Sequence, residues 1–298
     1  MRHDDPGQRL SAYVGIVATT WDGSFGHGAV RLHAGQDHDV VVLGEEAVFR
    51  FPRTQRALDA LPREVAALAA LRALDPGLDV TVPDVFLDCS GAVLGRAFVG
   101  QRYVPGEPLP RGSVEAVGPM AYRFAAELAR VLDTLAAVDV GGPLGEVLTR
   151  APVRPSFAAF ADSVRERLGP LMSGAGRERA EAELAAVLAV EPPERPVLVH
   201  GDFGGGNLRW DADTTRLTGV LDWSQVHVGD PAYDVASVGA TYGWDLAATT
   251  DAARDRAADA GLLDRARAYA GTFALQEALV GVLDGDEVAT RRGLRGYT

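Results

Sequence analysis

The chain has 298 residues, 47% of them hydrophobic, and 41 acidic against 29 basic side chains give a formal net charge of −12. That length holds one large or two modest domains. No apolar stretch reaches the roughly 20 residues of a membrane span, and the acidic balance argues against nucleic acid as a partner. All 29 basic residues are arginine, which excludes a lysine-dependent phosphate loop and lysine Schiff-base chemistry. The lone cysteine, Cys89, excludes an intrachain disulfide framework and fits a reducing cytoplasm. The start, MRHDDPGQRL, does not read as a basic leader.

Residues 11–19 form a mildly apolar patch suited to a short helix or strand, and Gly23, Gly26 and Gly28 read as a loop. Three strands are predicted over 29–33, 40–43 and 47–51, divided by the polar stretches 34–39 and 44–46. In the third, alternation puts Phe49 and Phe51 on one face and Arg50 on the other. Arg53 and Arg56 are expected to face solvent. An Ala/Leu-rich stretch over 61–74 has helical spacing, with Pro62 in its first turn and Glu64 inside it. Two more strands are expected over 80–88 and 96–104, stopped by Pro105 and Pro108. Helices follow over 114–138, 157–168 and 177–190, punctuated by Gly141-Gly142-Pro143 and Gly169-Pro170.

The most informative stretch is 196–234, PVLVHGDFGGGNLRWDADTTRLTGVLDWSQVHVGDPAYD. The apolar run 197–199 leads into His200-Gly201-Asp202, three glycines and Asn207. Two further apolar runs, 208–210 and 217–221, flank a polar turn and end on Asp222. This predicts a β-hairpin carrying Asp202, Asn207 and Asp222 at its open end. Phosphoryl transfer needs a carboxylate to orient a hydroxyl and accept its proton, and oxygen ligands for Mg²⁺ on the nucleotide phosphates. Asp202 suits the first task, and Asn207 and Asp222 the second. His200 reads as a brace inside the turn. A metal-hydrolase set of His200, Asp202, Asp222 and His227 is the rival, and no His-Glu-x-x-His pattern supports it. After Gly229, Asp230 can cap a helix beginning at Pro231. Helices are expected over 232–242, 251–269 and 272–283, with a loosely ordered tail over 291–298. In this region Asp245, Asp251, Asp255 and Glu277 are either plain helix surface or contacts for ammonium groups of a substrate.

HGDFGGGN followed by VLDWSQVHVGDPAYDVA resembles the aminoglycoside phosphotransferase family, whose kinase-like superfamily includes macrolide phosphotransferases and, more distantly, choline kinases. The resemblance implies an α+β, bilobal, protein-kinase-like fold: a small antiparallel β-sheet N-lobe over 1–104 for nucleotide, and a mostly helical C-lobe over 105–298 for catalysis and acceptor. It implies that Gly35, Asp37 and His38 belong to a phosphate-facing turn, with the Asp37 and Asp39 carboxylates turned away or capping it. It makes Arg50 and Glu64 the nucleotide-anchoring ion pair, with arginine where the family has lysine. Arg102, Tyr103 and Val104 would be the hinge receiving the purine, and Asp230 and Asp234 structural braces. The implied reaction moves the γ-phosphoryl of ATP or GTP, with Mg²⁺, to a hydroxyl of a small molecule. An aminoglycoside or macrolide antibiotic is the expected acceptor, and the acidic balance favours a cationic one. A kinase of a housekeeping metabolite and a nucleotide-binding pseudokinase are the alternatives.

Overall fold

The computed structural model describes residues 5–21, 29–74, 77–109, 119–150, 156–191, 193–255 and 259–298. The glycines at 23, 26 and 28 and the expected start of a helix at 114 lie outside them. The chain divides into two compact units, 1–77 with 81–105, and 78–80 with 106–298.

In the first unit, helix α1 (Pro6–Ala18) is capped by Asp5, whose side chain accepts from the Gly7 N–H. This settles the patch at 11–19 as helix. Strands β1 (Val30–Ala34), β2 (His38–Leu43), β3 (Ala47–Pro52), β4 (Val85–Asp88) and β5 (Val99–Arg102) form an antiparallel sheet in the order β1-β2-β3-β5-β4. Both late strands are shorter than expected. Apolar residues beyond them, such as Val82, Ala97 and Phe98, are buried without joining the ladder. Phe49, Phe51, Val41 and Leu43 pack with Val17 and Phe98, and Tyr13 of α1 stacks on Phe51 at 4.1 Å. Arg50 points to the opposite face, as alternation requires.

Helix α2 (Gln55–Arg72) begins six residues earlier than its hydrophobic spacing indicates. Thr54 caps it by accepting from the Ala57 N–H, so Pro62 lies inside the helix, where it costs one backbone hydrogen bond. Leu58, Leu61, Glu64, Leu68 and Leu71 make its buried stripe. A glutamate on that stripe needs a partner, since a lone buried charge is costly.

The second unit holds helices α3 (Pro119–Ala137), α4 (Pro143–Arg150), α5 (Phe157–Arg167) and α6 (Gly174–Leu188), then β6 (Val197–Val199), β7 (Leu208–Asp211), β8 (Arg216–Val220) and β9 (His227–Gly229). It closes with α7 (Ala232–Tyr242), α8 (Trp244–Ala252), α9 (Leu262–Gly271), α10 (Phe273–Asp284) and α11 (Glu287–Gly293). β7 and β8 make the expected hairpin, but β6 pairs with β9, a strand that sequence pattern did not indicate. α4, α8 and α11 are likewise additions, and in place of the single helix expected over 251–269 stand the end of α8 and α9.

The C-terminal tail is not loose. Tyr297 is 1% exposed within a core of Phe160, Val164, Leu168, Leu184, Leu275 and Leu279. Its carbonyl accepts from the Ser173 N–H at 2.9 Å, its hydroxyl donates to Glu183, and the Arg179 guanidinium lies over its ring. No helix among the described residues is long and apolar enough to cross a membrane.

Candidate active site

The β6 strand delivers His200 to the start of a loop, and α7 holds that loop in place. The backbone N–H groups of His200 and Gly201 donate to the two carboxylate oxygens of Asp234, each at 2.8 Å. Asp234 sits in the first turn of α7 and is 2% exposed. Gly201 has φ 86°, and a Cβ there would stand 2.5 Å from the Gln225 carbonyl oxygen, so the turn admits only glycine. A Cβ on Gly204 would meet Thr241 Oγ1 and the Ser237 carbonyl of α7, so this glycine lets the loop lie against the helix.

His200 is fully buried, and its ring joins both halves of the site. Its Nδ1 lies 3.2 Å from the Asp202 N–H, which has only a proton to offer, so Nδ1 accepts. The proton is then on Nε2, which donates to the Leu221 carbonyl at 2.9 Å. Burial pushes its pKa down to about 4, against a smaller upward pull from Asp222. Both ring nitrogens are thereby engaged in bracing. Among the described residues there is no group of three or more His, Cys, Asp or Glu able to hold a metal ion, which removes the support for the hydrolase reading.

Asp202 is exposed. The Asn207 side-chain amide donates to its Oδ2 at 2.7 Å and to its backbone carbonyl at 3.0 Å. A carboxylate and a carbonyl both accept, so the amide's NH₂ faces Asp202 and its Oδ1 faces elsewhere. The Asn207 carbonyl in turn accepts from the Leu221 N–H at 2.8 Å. Leu221 is thus bonded through its N–H to Asn207 and through its carbonyl to His200. Its next residue, Asp222, takes a left-handed backbone (φ 56°, ψ 71°) that side-chain-bearing residues adopt sparingly. Trp223 locks the turn, fully buried, with Nε1 donating to the Val220 carbonyl and its ring edge-on to His200. The Asp202, Asn207 and Asp222 positions therefore converge, although from two strand pairs rather than one hairpin.

Asp230 accepts from the Ala232 N–H at 2.9 Å, as a cap should. Its other partners are Arg265 and Tyr269 of α9, so it ties α7 to α9, whereas Asp234 braces the loop. Burial, followed by the Asp230 charge, pushes the Tyr269 hydroxyl pKa upward. Glu277 pairs with Arg292, and the Asp255 N–H donates to Asp133.

In the first unit, Arg50 (7% exposed) donates through Nη1 to Glu64 Oε1 (Glu64 2% exposed). The turn at 35–37 is closed by the Gly35 N–H on the His38 carbonyl, 2.9 Å. His38 is already the first residue of β2, and its Nδ1 lies 3.4 Å from Arg50 Nη2. Arg53 and Arg56 do not simply face solvent. Arg53 donates to the Gly35 carbonyl and approaches Asp39, and Arg56 pairs with Asp37, so both staple the turn. Asp39 is 1% exposed and accepts from Arg9 and from the Tyr13 hydroxyl at 2.8 Å. Burial, then Asp39, pushes the Tyr13 pKa up to about 12. At 102–104, the Arg102 N–H goes to the Asp84 carbonyl and the Tyr103 N–H to the Glu46 carbonyl. The Val104 N–H has no such partner among the described residues.

A five-stranded antiparallel unit with a buried cation–glutamate pair, followed by a helical unit presenting Asp, Asn and Asp from a braced loop, is the layout of a kinase-like phosphotransferase. The chain belongs to the phosphotransferase enzyme family APH, whose family model matches residues 28–270. It is 40% identical over 272 residues to a viomycin phosphotransferase of Streptomyces vinaceus, covering 91% of this chain and 93% of that protein. Solved structures share the fold. The GDP complex of aminoglycoside 2'-phosphotransferase-IIIa superposes with TM-score 0.80 at 20% identity over 96% of both chains. A macrolide 2'-phosphotransferase from Brachybacterium faecium gives 0.69 at 23% identity over 97% of this chain and 98% of that one. The protein is therefore a phosphotransferase.

Proposed function

We propose that the enzyme transfers the γ-phosphoryl of ATP or GTP to a hydroxyl of a cationic antibiotic, with viomycin the first acceptor to try. The observation that carries this reading is the Asp202–Asn207–Leu221–His200 circuit, in which the Asn207 NH₂ bonds the exposed Asp202 carboxylate and Leu221, the residue before Asp222, is tied to both Asn207 and His200. Asp202 orients the acceptor hydroxyl and takes its proton as the new bond forms. Asn207 Oδ1 and the Asp222 carboxylate are hard oxygen donors, the kind Mg²⁺ takes when phosphates and water supply its remaining ligands. When bound, the ion neutralises charge on the phosphates being transferred.

In the first unit, Arg50, held by Glu64, grips the phosphates, and the turn of Gly35 and Asp37, with His38 opening β2 just after it, lies along them. The Val104 N–H, beside Arg102 and Tyr103, is the donor for the nucleobase edge. The relative at 40% identity supports viomycin, and the formal charge of −12 favours a cationic acceptor through its long-range field. The test is a phosphorylation screen with ATP and with GTP over viomycin, aminoglycosides and macrolides, read as nucleoside diphosphate release and product mass. A product about 80 Da heavier, from at least one of these acceptors, is expected, since one phosphoryl is transferred. No product with any of them refutes the antibiotic assignment.

A further inference from the structure

We propose that His38 is a positioning residue for Arg50, and that the two act as a matched pair. The inference rests on the reading of Arg50 as the phosphate-gripping cation. Val40 of β2 is directly opposite Arg50 of β3, and His38 lies two residues along from Val40. Side chains two apart on a strand share a face, so His38 and Arg50 are diagonal neighbours there. Both are more than nine-tenths buried.

A guanidinium has no acceptor atom, so His38 Nδ1, 3.4 Å from Arg50 Nη2, must accept. His38 is then neutral, with its proton on Nε2. Glu64 accepts from Nη1, and His38 accepts from the other terminal nitrogen of the same plane.

The need for two acceptors follows from the shape of the cation. A lysine ammonium is a point charge, and one carboxylate places it. A guanidinium is a planar fork, and an acceptor at one end leaves it free to swing about that end. An acceptor at the second end fixes the plane. A carboxylate in that place would make the cluster of Arg50, Glu64 and itself net negative, which repels phosphate. Neutral imidazole fixes the fork and leaves the charge unchanged.

The test uses the full-length enzyme, with steady-state kinetics and direct binding of ATP and GTP. His38→Leu removes the acceptor and keeps the bulk. It is expected to raise the nucleotide KM by about tenfold, the scale of one hydrogen bond to a charged group. The kcat should change by no more than about twofold, because the interaction is made before the transition state. His38→Asn, whose amide oxygen stands near the position of Nδ1, should recover KM to within about threefold of the parent. In an Arg50→Lys background, His38→Leu should add less than about twofold, since the ammonium does not use the second acceptor.

A purely structural role for His38 would lower melting temperature without this dependence on the residue at 50. Equal KM for His38→Leu and the parent, equal effects of Leu and Asn, or equal effects in the two backgrounds each overturn the pairing. The Arg50 assignment is checked apart from it by Arg50→Met. Unchanged nucleotide affinity in that variant overturns the assignment itself, and weakened affinity alongside a silent His38→Leu overturns the pairing alone.

Discussion

Replacing Asp234 with alanine tests whether α7 holds the catalytic loop. Its two carboxylate oxygens each take one backbone N–H, from His200 and Gly201, at 2.8 Å, and the residue is 2% exposed. Hydrogen bonds to an ionised group contribute about 1.5–3 kcal/mol each, and a buried donor left without an acceptor costs about 1–3 kcal/mol. Relief from burying the carboxylate offsets part of this. A net loss of about 3–5 kcal/mol is expected, a large share of the ~5–15 kcal/mol typical of a folded chain. At roughly 2–4 °C per kcal/mol for a unit of this size, the melting temperature should fall by about 10 °C. Asp234→Asn keeps one accepting oxygen but sets an NH₂ against the second N–H, so it should fall between parent and alanine. Thermal and urea melts of the three proteins, with turnover measured well below the transition, provide the check. If the alanine variant melts within about 1 °C of the parent, the buried-clamp argument is wrong.

Four further expectations concern the same loop and the tail. Asp202→Asn should reduce turnover by about 10²–10⁴, the usual share of a general base, with equilibrium nucleotide binding retained. Undiminished turnover would remove Asp202 from the mechanism. Asp222→Ala should weaken nucleotide affinity in the presence of Mg²⁺ and leave the Mg²⁺-free affinity nearly unchanged, which paired titrations would resolve. His200 has a folded pKa of about 4 against 6.5 for an open imidazole. The unfolded chain therefore binds the extra proton first as pH falls, so the stability this ring contributes is present above 6.5 and is lost between 6.5 and 4. The difference is about 3 kcal/mol, and it should appear in urea melts of the parent and vanish from that pH window in His200→Gln. Gly176→Ala would drive a methyl into the Tyr297 carbonyl, so it should destabilise the α6–tail junction by about 1–3 kcal/mol in the same melts. An unchanged midpoint would show that the tail is not seated there.

How far each part was readable depended on whether its cause is local. The strands 30–34, 38–43 and 47–52 lie close to their expected bounds because each is a short apolar run between polar turns. The start of α2 was misplaced because Thr54, its cap, carries a weaker signal than the Leu61–Leu71 stripe. The stripe itself held a clue: Glu64 falls at an apolar position and so required a cation such as Arg50. β9 is three residues long and pairs with β6 across 27 intervening residues, so nothing near it in the chain marks it as a strand. From the sequence, Tyr297 reads as part of a loosely ordered tail. Its burial depends on a groove assembled from α5, α6 and α10.

Residue order alone determined the chemistry on offer: an Asp, an Asn and an Asp at spacings that suit phosphoryl transfer, and an arginine on the strand face opposite two phenylalanines. Those are matters of side-chain type and of backbone period, both local. Tertiary structure decided which atoms of those residues are committed. It turned the Asn207 amide toward Asp202, spent both His200 nitrogens on bracing, gave Arg53 and Arg56 to the turn at 35–37, and set His38 against Arg50. Each of these is a pairing between strands or helices, and its geometry follows from register and packing, which a one-dimensional pattern does not contain.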